Sequence, residues 1–286
     1  MKKTTGFDRS KTRGWHPATQ AVRGGTWRSD HGETSEAIYV TSGYCYEDAA
    51  TPAARFAGEQ PGMTYSRTQN PSVQMLEERI ALMEGAEACR VQASGMAAMT
   101  AAMLCQLSAG DHMVIARAAF GPTRWVADNL LPRFGIEVTT IDGRDNDAWE
   151  RAIRPNTKLI AVNFPHNPTG KVFTVAEMTL IAELCQRYNA LCISDEIYEH
   201  MVYDGGRHVC MASLPGMRER TITLNSLSKT YSITGWRVGW MLAAPPLTHA
   251  LRKVHDFMTT CAPAPLQRAG VTALAFDQAY YDTLLA

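Results

Sequence analysis

The segment Asn225-Ser226-Leu227-Ser228-Lys229-Thr230-Tyr231-Ser232-Ile233-Thr234-Gly235-Trp236-Arg237-Val238-Gly239 sets the reading of this chain. It opens at the end of an apolar run, Thr221–Leu224, and closes in another, Val238–Leu242, each the length of a short buried strand. Two serines precede a lysine, and an arginine follows eight residues later, before Val238 and Gly239. Hydroxyls and a guanidinium can hold a phosphate, and a lysine amine can condense with an aldehyde. The short string Ser-x-Ser-Lys is common and decides nothing alone. The longer pattern between two strands is far more restrictive.

Pyridoxal phosphate carries both a phosphate and an aldehyde, and it is the cofactor these residues suit. The pattern resembles the cofactor-lysine motif of class I and II aminotransferases. That resemblance implies that Lys229 forms the Schiff base and then moves the substrate α-proton. It also implies that Ser226, Ser228 and Arg237 bind the cofactor phosphate.

Composition is that of an ordinary water-soluble chain: 286 residues, 45% hydrophobic, 28 basic against 28 acidic side chains. A formal net charge of zero leaves no electrostatic footprint for nucleic acid or an anionic membrane. No apolar run reaches membrane-spanning length, and no signal-peptide core follows Met1. The seven cysteines are scattered without a Cys-x-x-Cys pair, which suits free, buried thiols in a reducing cytoplasm. The eight histidines show no metal-ligand spacing, so no metal is expected.

Residues 1–60, rich in Gly, Thr, Ser and Arg and weakly periodic, read as an N-terminal arm. Residues 61–286 read as one large domain. Asn70 and Pro71 start a helix carrying Val73, Leu76, Ile80 and Met83, and Gly85 stops it. Buried strands are then expected at 88–91, 112–116, 136–141, 159–162, 190–193, 221–224 and 238–242. Helical stretches fall at 94–108, 121–132, 174–188 and 247–259, the third opening with a Thr174/Glu177 capping box. Alternation of this kind predicts an α/β fold, a mostly parallel seven-stranded sheet between helices. The aminotransferase resemblance makes it the fold-type I large domain.

Open sheets of this class bind ligands at the carboxyl ends of their strands. After the first strand, Ser94-Gly95-Met96 opens a helix whose free N–H groups suit a phosphate. That tripeptide resembles the phosphate loop of the Cys/Met-metabolism pyridoxal enzymes, the cystathionine-γ-synthase family. In that family an aromatic ring stacks on the cofactor, and Phe120 matches it here, where Tyr is more usual. Tyr65-Ser66-Arg67 resembles the family's Tyr-x-Arg clamp. Tyr65 and Arg67 would therefore reach the phosphate in a neighbouring chain, which implies a homodimer or tetramer.

Asn163–Gly170 and Ser194–Tyr198 follow the fourth and fifth strands. They resemble aminotransferase motifs. Asn167 and Tyr198 would bond the cofactor's phenolic oxygen, and Asp195 would pair with its ring nitrogen. Catalytic roles then fall to Lys229, Asp195 and Tyr198, with an amino acid as the small-molecule substrate.

The two resemblances divide the chain. Residues about 15–158 look like an O-succinylhomoserine sulfhydrylase of the Cys/Met family, and residues about 159–286 look like an aminotransferase. The sequence thus has the pattern of a chimera with its crossover near 158. It also lacks a match for the smaller C-terminal domain, roughly 100 residues in both families, and for that domain's carboxylate-binding arginine. An aminotransferase-type transferase is the first expectation. A γ-replacement sulfhydrylase of methionine biosynthesis is the second, and a cofactor-binding but inactive chain the third.

Overall fold

The computed structural model describes residues 7–12, 14–258 and 262–285. Seven strands form one sheet: β1 (Ala88–Gln92), β2 (His112–Ala116), β3 (Glu137–Ile141), β4 (Thr157–Asn163), β5 (Leu191–Asp195), β6 (Thr221–Ser226) and β7 (Gly239–Ala243). Their order is β1-β7-β6-β5-β4-β2-β3. Strands β2 to β6 run parallel, and β7 is antiparallel to both β6 and β1.

The helices are α1 (Pro17–Arg23), α2 (Ala50–Phe56), α3 (Pro71–Met83), α4 (Gly95–Gln106), α5 (Gly121–Trp125), α6 (Asn146–Ala152), α7 (Val175–Arg187), α8 (Pro245–Met258), α9 (Ala264–Leu274) and α10 (Gln278–Thr283). Successive strand side chains go to opposite cores, as a sheet covered on both faces requires. Met113, Ile115, Leu159 and Ala161 pack with α4 and α8. Val114, Ile160 and Val162 pack with α6 and α7. A third apolar cluster joins α3 and α9 to β1 and β7. Burying each such aliphatic side chain is worth about 1.5–3 kcal/mol before chain entropy is charged against it.

Helix starts follow local chemistry. Asn70 Oδ1 accepts from the Ser72 and Val73 N–H groups, with Pro71 at the first helical position. Thr174 and Glu177 form a reciprocal capping box on α7. The expected single helix over 121–132 is a correction: α5 passes into a π turn at Val126–Leu130 and a 3-10 turn at Leu131–Phe134. Pro132 has no N–H for the Asp128 carbonyl and would crowd it, so the backbone widens before the proline.

The arm contains α1, α2 and a 3-10 turn at Arg9–Thr12, and it is tied down. Arg79, fully buried on α3, pairs with the buried Glu36 and donates from Nε to the Gly24 carbonyl at 3.0 Å. Of the cysteines, Cys89, Cys185 and Cys192 are buried and free, Cys105 and Cys210 are free and half-buried, and Cys45 is free but exposed. Exposed Cys45 therefore departs from the buried-thiol expectation, and Cys261 lies outside the described residues. Among the described residues no helix is long and apolar enough to cross a membrane.

Candidate active site

The carboxyl ends of β4, β5 and β6 meet the amino end of α4 around a cavity of about 250 Å³. Gly95, Met96, Phe120, Asn167, Asp195, Tyr198, Ser226, Ser228, Lys229 and Arg237 all line it. Three residues expected in the site stand outside this wall. Ser94 lies just beneath, its hydroxyl accepting from the Ala97 N–H at 3.0 Å and so capping α4. Tyr65 and Arg67 are on the arm side, the Arg67 guanidinium 4.9 Å from the centre of the Tyr65 ring. Arg67 lines a separate cleft with Arg90 and Arg252.

Backbone geometry brings the phosphate end together. Gly95 and Met96 occupy the first turn of α4, whose N–H groups have no intrahelical acceptor. A Cβ on Gly239 would lie 2.8 Å from the Gly95 nitrogen, so only glycine lets β7 approach this turn. Arg237 precedes it in the left-handed region, φ 57°, and its Nη1 donates to the Thr234 carbonyl at 2.9 Å. The Ser228 N–H donates to Ser226 Oγ at 3.1 Å, tightening the turn that leads to Lys229.

At the other end, Asn167 Nδ2 donates to the Tyr198 hydroxyl at 3.0 Å. Lys229 Nζ lies 5.9 Å from the centre of the Tyr198 ring. Asp195 ends β5, and its carbonyl accepts from Asn163 Nδ2 at 3.1 Å and from the Phe164 N–H at 3.0 Å. Burial pushes the Asp195 carboxyl up to about 7, opposed by the Ile197 N–H, with nearby Glu196 raising it further. The causes of that shift include no cation. A buried acid without a cationic partner suits a protonated ring nitrogen.

Several wall residues escaped the sequence reading, chiefly Asn163, Asn225 and Thr234. Asn163 and Asn225 sit at strand ends, so the carboxyl-end rule alone could have flagged them. Behind the wall, Asn225 Nδ2 donates to Glu199, which burial pushes up to about 8. Glu196 accepts from Ser194 Oγ at 2.7 Å, the Met211 N–H at 3.1 Å and His208 Nε2 at 2.7 Å. Glu196, Glu199 and His208 place their oxygen and nitrogen atoms within 4.8 Å of one another, a grouping that sequence spacing does not reveal.

A fold-type I sheet with a lysine, a buried acid and a phosphate-ready helix end around one cavity defines a pyridoxal-phosphate enzyme. The chain belongs to the Cys/Met metabolism PLP-dependent enzyme family, whose model matches residues 18–202. Its cofactor is pyridoxal 5′-phosphate, and the residues present fit it.

Both resemblances appear among known proteins. The chain is 44% identical over 180 residues to O-succinylhomoserine sulfhydrylase of Pseudomonas aeruginosa, covering 63% of this chain and 44% of that protein. It is 36% identical over 185 residues to kynurenine–oxoglutarate transaminase 1 of Mus musculus, covering 60% and 44%. Among solved structures, N-succinyldiaminopimelate aminotransferase of Mycobacterium tuberculosis superposes with TM-score 0.63 at 30% identity, covering 82% of this chain and 57% of the other. A Campylobacter jejuni protein described as an O-acetylhomoserine (thiol)-lyase gives TM-score 0.73 over 91% of this chain and 71% of that one. It is 22% identical, a likeness of fold, and carries N′-pyridoxyl-lysine-5′-monophosphate. The chain spans half or less of the length of these curated relatives.

Proposed function

We propose that this chain is a pyridoxal-phosphate-dependent transferase acting on amino acids, of the aminotransferase type. The observation that carries the reading is the convergence of Lys229, Asp195 and the Asn167–Tyr198 pair on one cavity, with Arg237 and the α4 amino end at its other side. When bound, the cofactor supplies an aldehyde that condenses with amines and a ring that withdraws electrons from the substrate α-carbon.

The chain's own residues do the rest. The N–H groups of Gly95 and Met96, the Ser226 and Ser228 hydroxyls and the Arg237 guanidinium would bind phosphate oxygens. The Asp195 carboxylate would hold positive charge at the ring nitrogen. Asn167 and Tyr198 would orient the phenolic oxygen, and Phe120 would shield the ring from water. Lys229 would anchor the cofactor, and its free amine would serve as base and acid for the substrate α-proton. Tyr65 and Arg67 are exposed and stand outside their own chain's cavity, which supports their service to a neighbouring chain in a homodimer. The free cysteines support a reducing, cytoplasmic setting.

One assay tests this. The protein loaded with pyridoxal phosphate is mixed with glutamate, and pyridoxamine phosphate and 2-oxoglutarate are quantified by chromatography. Equal amounts of both are expected. Lys229→Ala is expected to show no borohydride-fixed cofactor at position 229 by peptide mass spectrometry. The sulfhydrylase relative favours a second reading, γ-replacement. Homocysteine and succinate formed from O-succinylhomoserine and sulfide, with no pyridoxamine phosphate from glutamate, would select it. A loaded protein inert in both assays would leave only cofactor binding.

A further inference from the structure

An aromatic cluster from the segment after β7 closes on the lysine loop, and the chemistry above does not use it. Tyr231, two residues beyond Lys229, stacks on Tyr280 with ring centres 5.8 Å apart and planes 15° from parallel. Phe276 and Tyr281 meet the Tyr231 ring edge-on at 6.1 and 6.3 Å. The Tyr231 and Tyr281 hydroxyls are 2.7 Å apart. Tyr280 donates its hydroxyl to the Thr230 carbonyl at 2.6 Å. On its other side Tyr281 packs against His200, ring centres 4.7 Å apart, two residues beyond Tyr198. One turn of α10 therefore touches both the segment that presents Lys229 and the one that presents Tyr198 to the cavity.

The lysine loop needs such support. Ser232 and Arg237 both hold left-handed backbone, φ 55° and 57°, which side-chain-bearing residues disfavour. Between Lys229 and Trp236 the backbone-to-backbone bonds are the Ser232 N–H to the Lys229 carbonyl and the Trp236 N–H to the Ile233 carbonyl, with Arg237 bonding the Thr234 carbonyl. Burial keeps the Tyr231 phenol well above its ordinary range, so its hydroxyl stays protonated and able to bond.

We propose that Tyr280 and Tyr281 are positioning residues for Lys229, acting through Thr230 and Tyr231, and that Tyr281 couples the lysine loop to the Tyr198 turn. This rests on the reading of Lys229 as the cofactor-binding lysine. Tyr280→Phe and Tyr281→Phe keep the rings and remove the hydroxyls. The first readout is the apoprotein: trace acetylation by acetic anhydride, followed lysine by lysine by mass spectrometry. Each variant is expected to change the Lys229 rate roughly fivefold, the worth of one ordinary hydrogen bond, while the other lysines keep theirs. A purely structural loss would alter melting temperature without singling out Lys229.

The second readout is the rate at which borohydride-fixed cofactor accumulates at Lys229. Tyr231→Phe closes the cycle: with Tyr281→Phe added it should do no more than either change alone. Wild-type rates of acetylation and fixation at Lys229 in both α10 variants would overturn the proposal, as would additive effects in the Tyr231–Tyr281 cycle. Failure of the wild-type protein to fix cofactor at Lys229 would instead overturn the reading of the site.

Discussion

Asp195 shows how a side chain's identity and its setting make separate contributions. Any Asp after a strand could cap a turn. Here burial holds its carboxyl near 7, so the cofactor-free protein binds a proton there more tightly than the unfolded chain does. The sign follows: a raised folded-state pKa gives stability that is complete below the unfolded value, about 3.9, and is lost as pH rises through about 7. Asp195→Asn removes that proton. Between pH 4 and pH 7 the cofactor-free variant is expected to lose less melting temperature than the wild type, read by calorimetry. Equal slopes would mean that Asp195 titrates normally and would weaken its role at the ring nitrogen.

At the scale of elements, His112 is the clearest polar tie within the sheet. It is fully buried on β2, its Nδ1 2.7 Å from Thr157 Oγ1 on β4 and its Nε2 2.8 Å from Thr139 Oγ1 on β3. One ring thus spans three strands. Replacing it with alanine leaves two hydroxyls without that partner and opens a void. His112→Ala is expected to lower unfolding free energy by about 2–3 kcal/mol in urea titration. Burial depresses the imidazole pKa, so its contribution is present above the unfolded value near 6.5 and falls away as pH drops below it. The wild type should therefore lose stability through that window faster than the variant. A variant as stable as wild type would show that the three strands hold register without this tie.

Across the whole molecule, Arg79 on α3 is one of several ties between the N-terminal segment and the rest, reaching back to Glu36 and Gly24 beside the Arg9–Glu78 pair and the Asn70 bond to the Tyr39 carbonyl. Both members of the Arg79–Glu36 pair are nearly free of solvent, and losing Arg79 leaves the Glu36 carboxylate with only Arg268, 3.5 Å away, and the Thr26 hydroxyl. Because Arg268 still faces Glu36, Arg79→Leu is expected to cost about 2–3 kcal/mol, and adding Glu36→Gln should recover part of that loss, read by denaturant titration and by proteolysis of the arm. No loss in Arg79→Leu would mean that the arm is held by other contacts. The same scale explains how two resemblances make one site. On our reading they meet at the start of β4, and the cavity takes Gly95, Met96 and Phe120 from one side of that point and Asn167 through Arg237 from the other.

Sequence alone determined the seven strands and the starts of α3, α4, α5, α7 and α8, and it named candidate cofactor residues, most of which line one cavity; α1, α2, α6, α9 and α10 were not placed by it. These follow from local rules: apolar runs of strand length, caps, glycine stops, and functional groups at strand ends. It did not foresee the break before Pro132, where a missing N–H acts at a distance of one turn. Only the tertiary structure placed Asp195 where burial raises its acid, brought Glu196, Glu199 and His208 together, and set Tyr280 and Tyr281 on the lysine loop. Each of these depends on contacts between residues up to 50 positions apart. Such contacts leave no local pattern, because desolvation and hydrogen-bond partners are properties of the packed chain and not of its spacing.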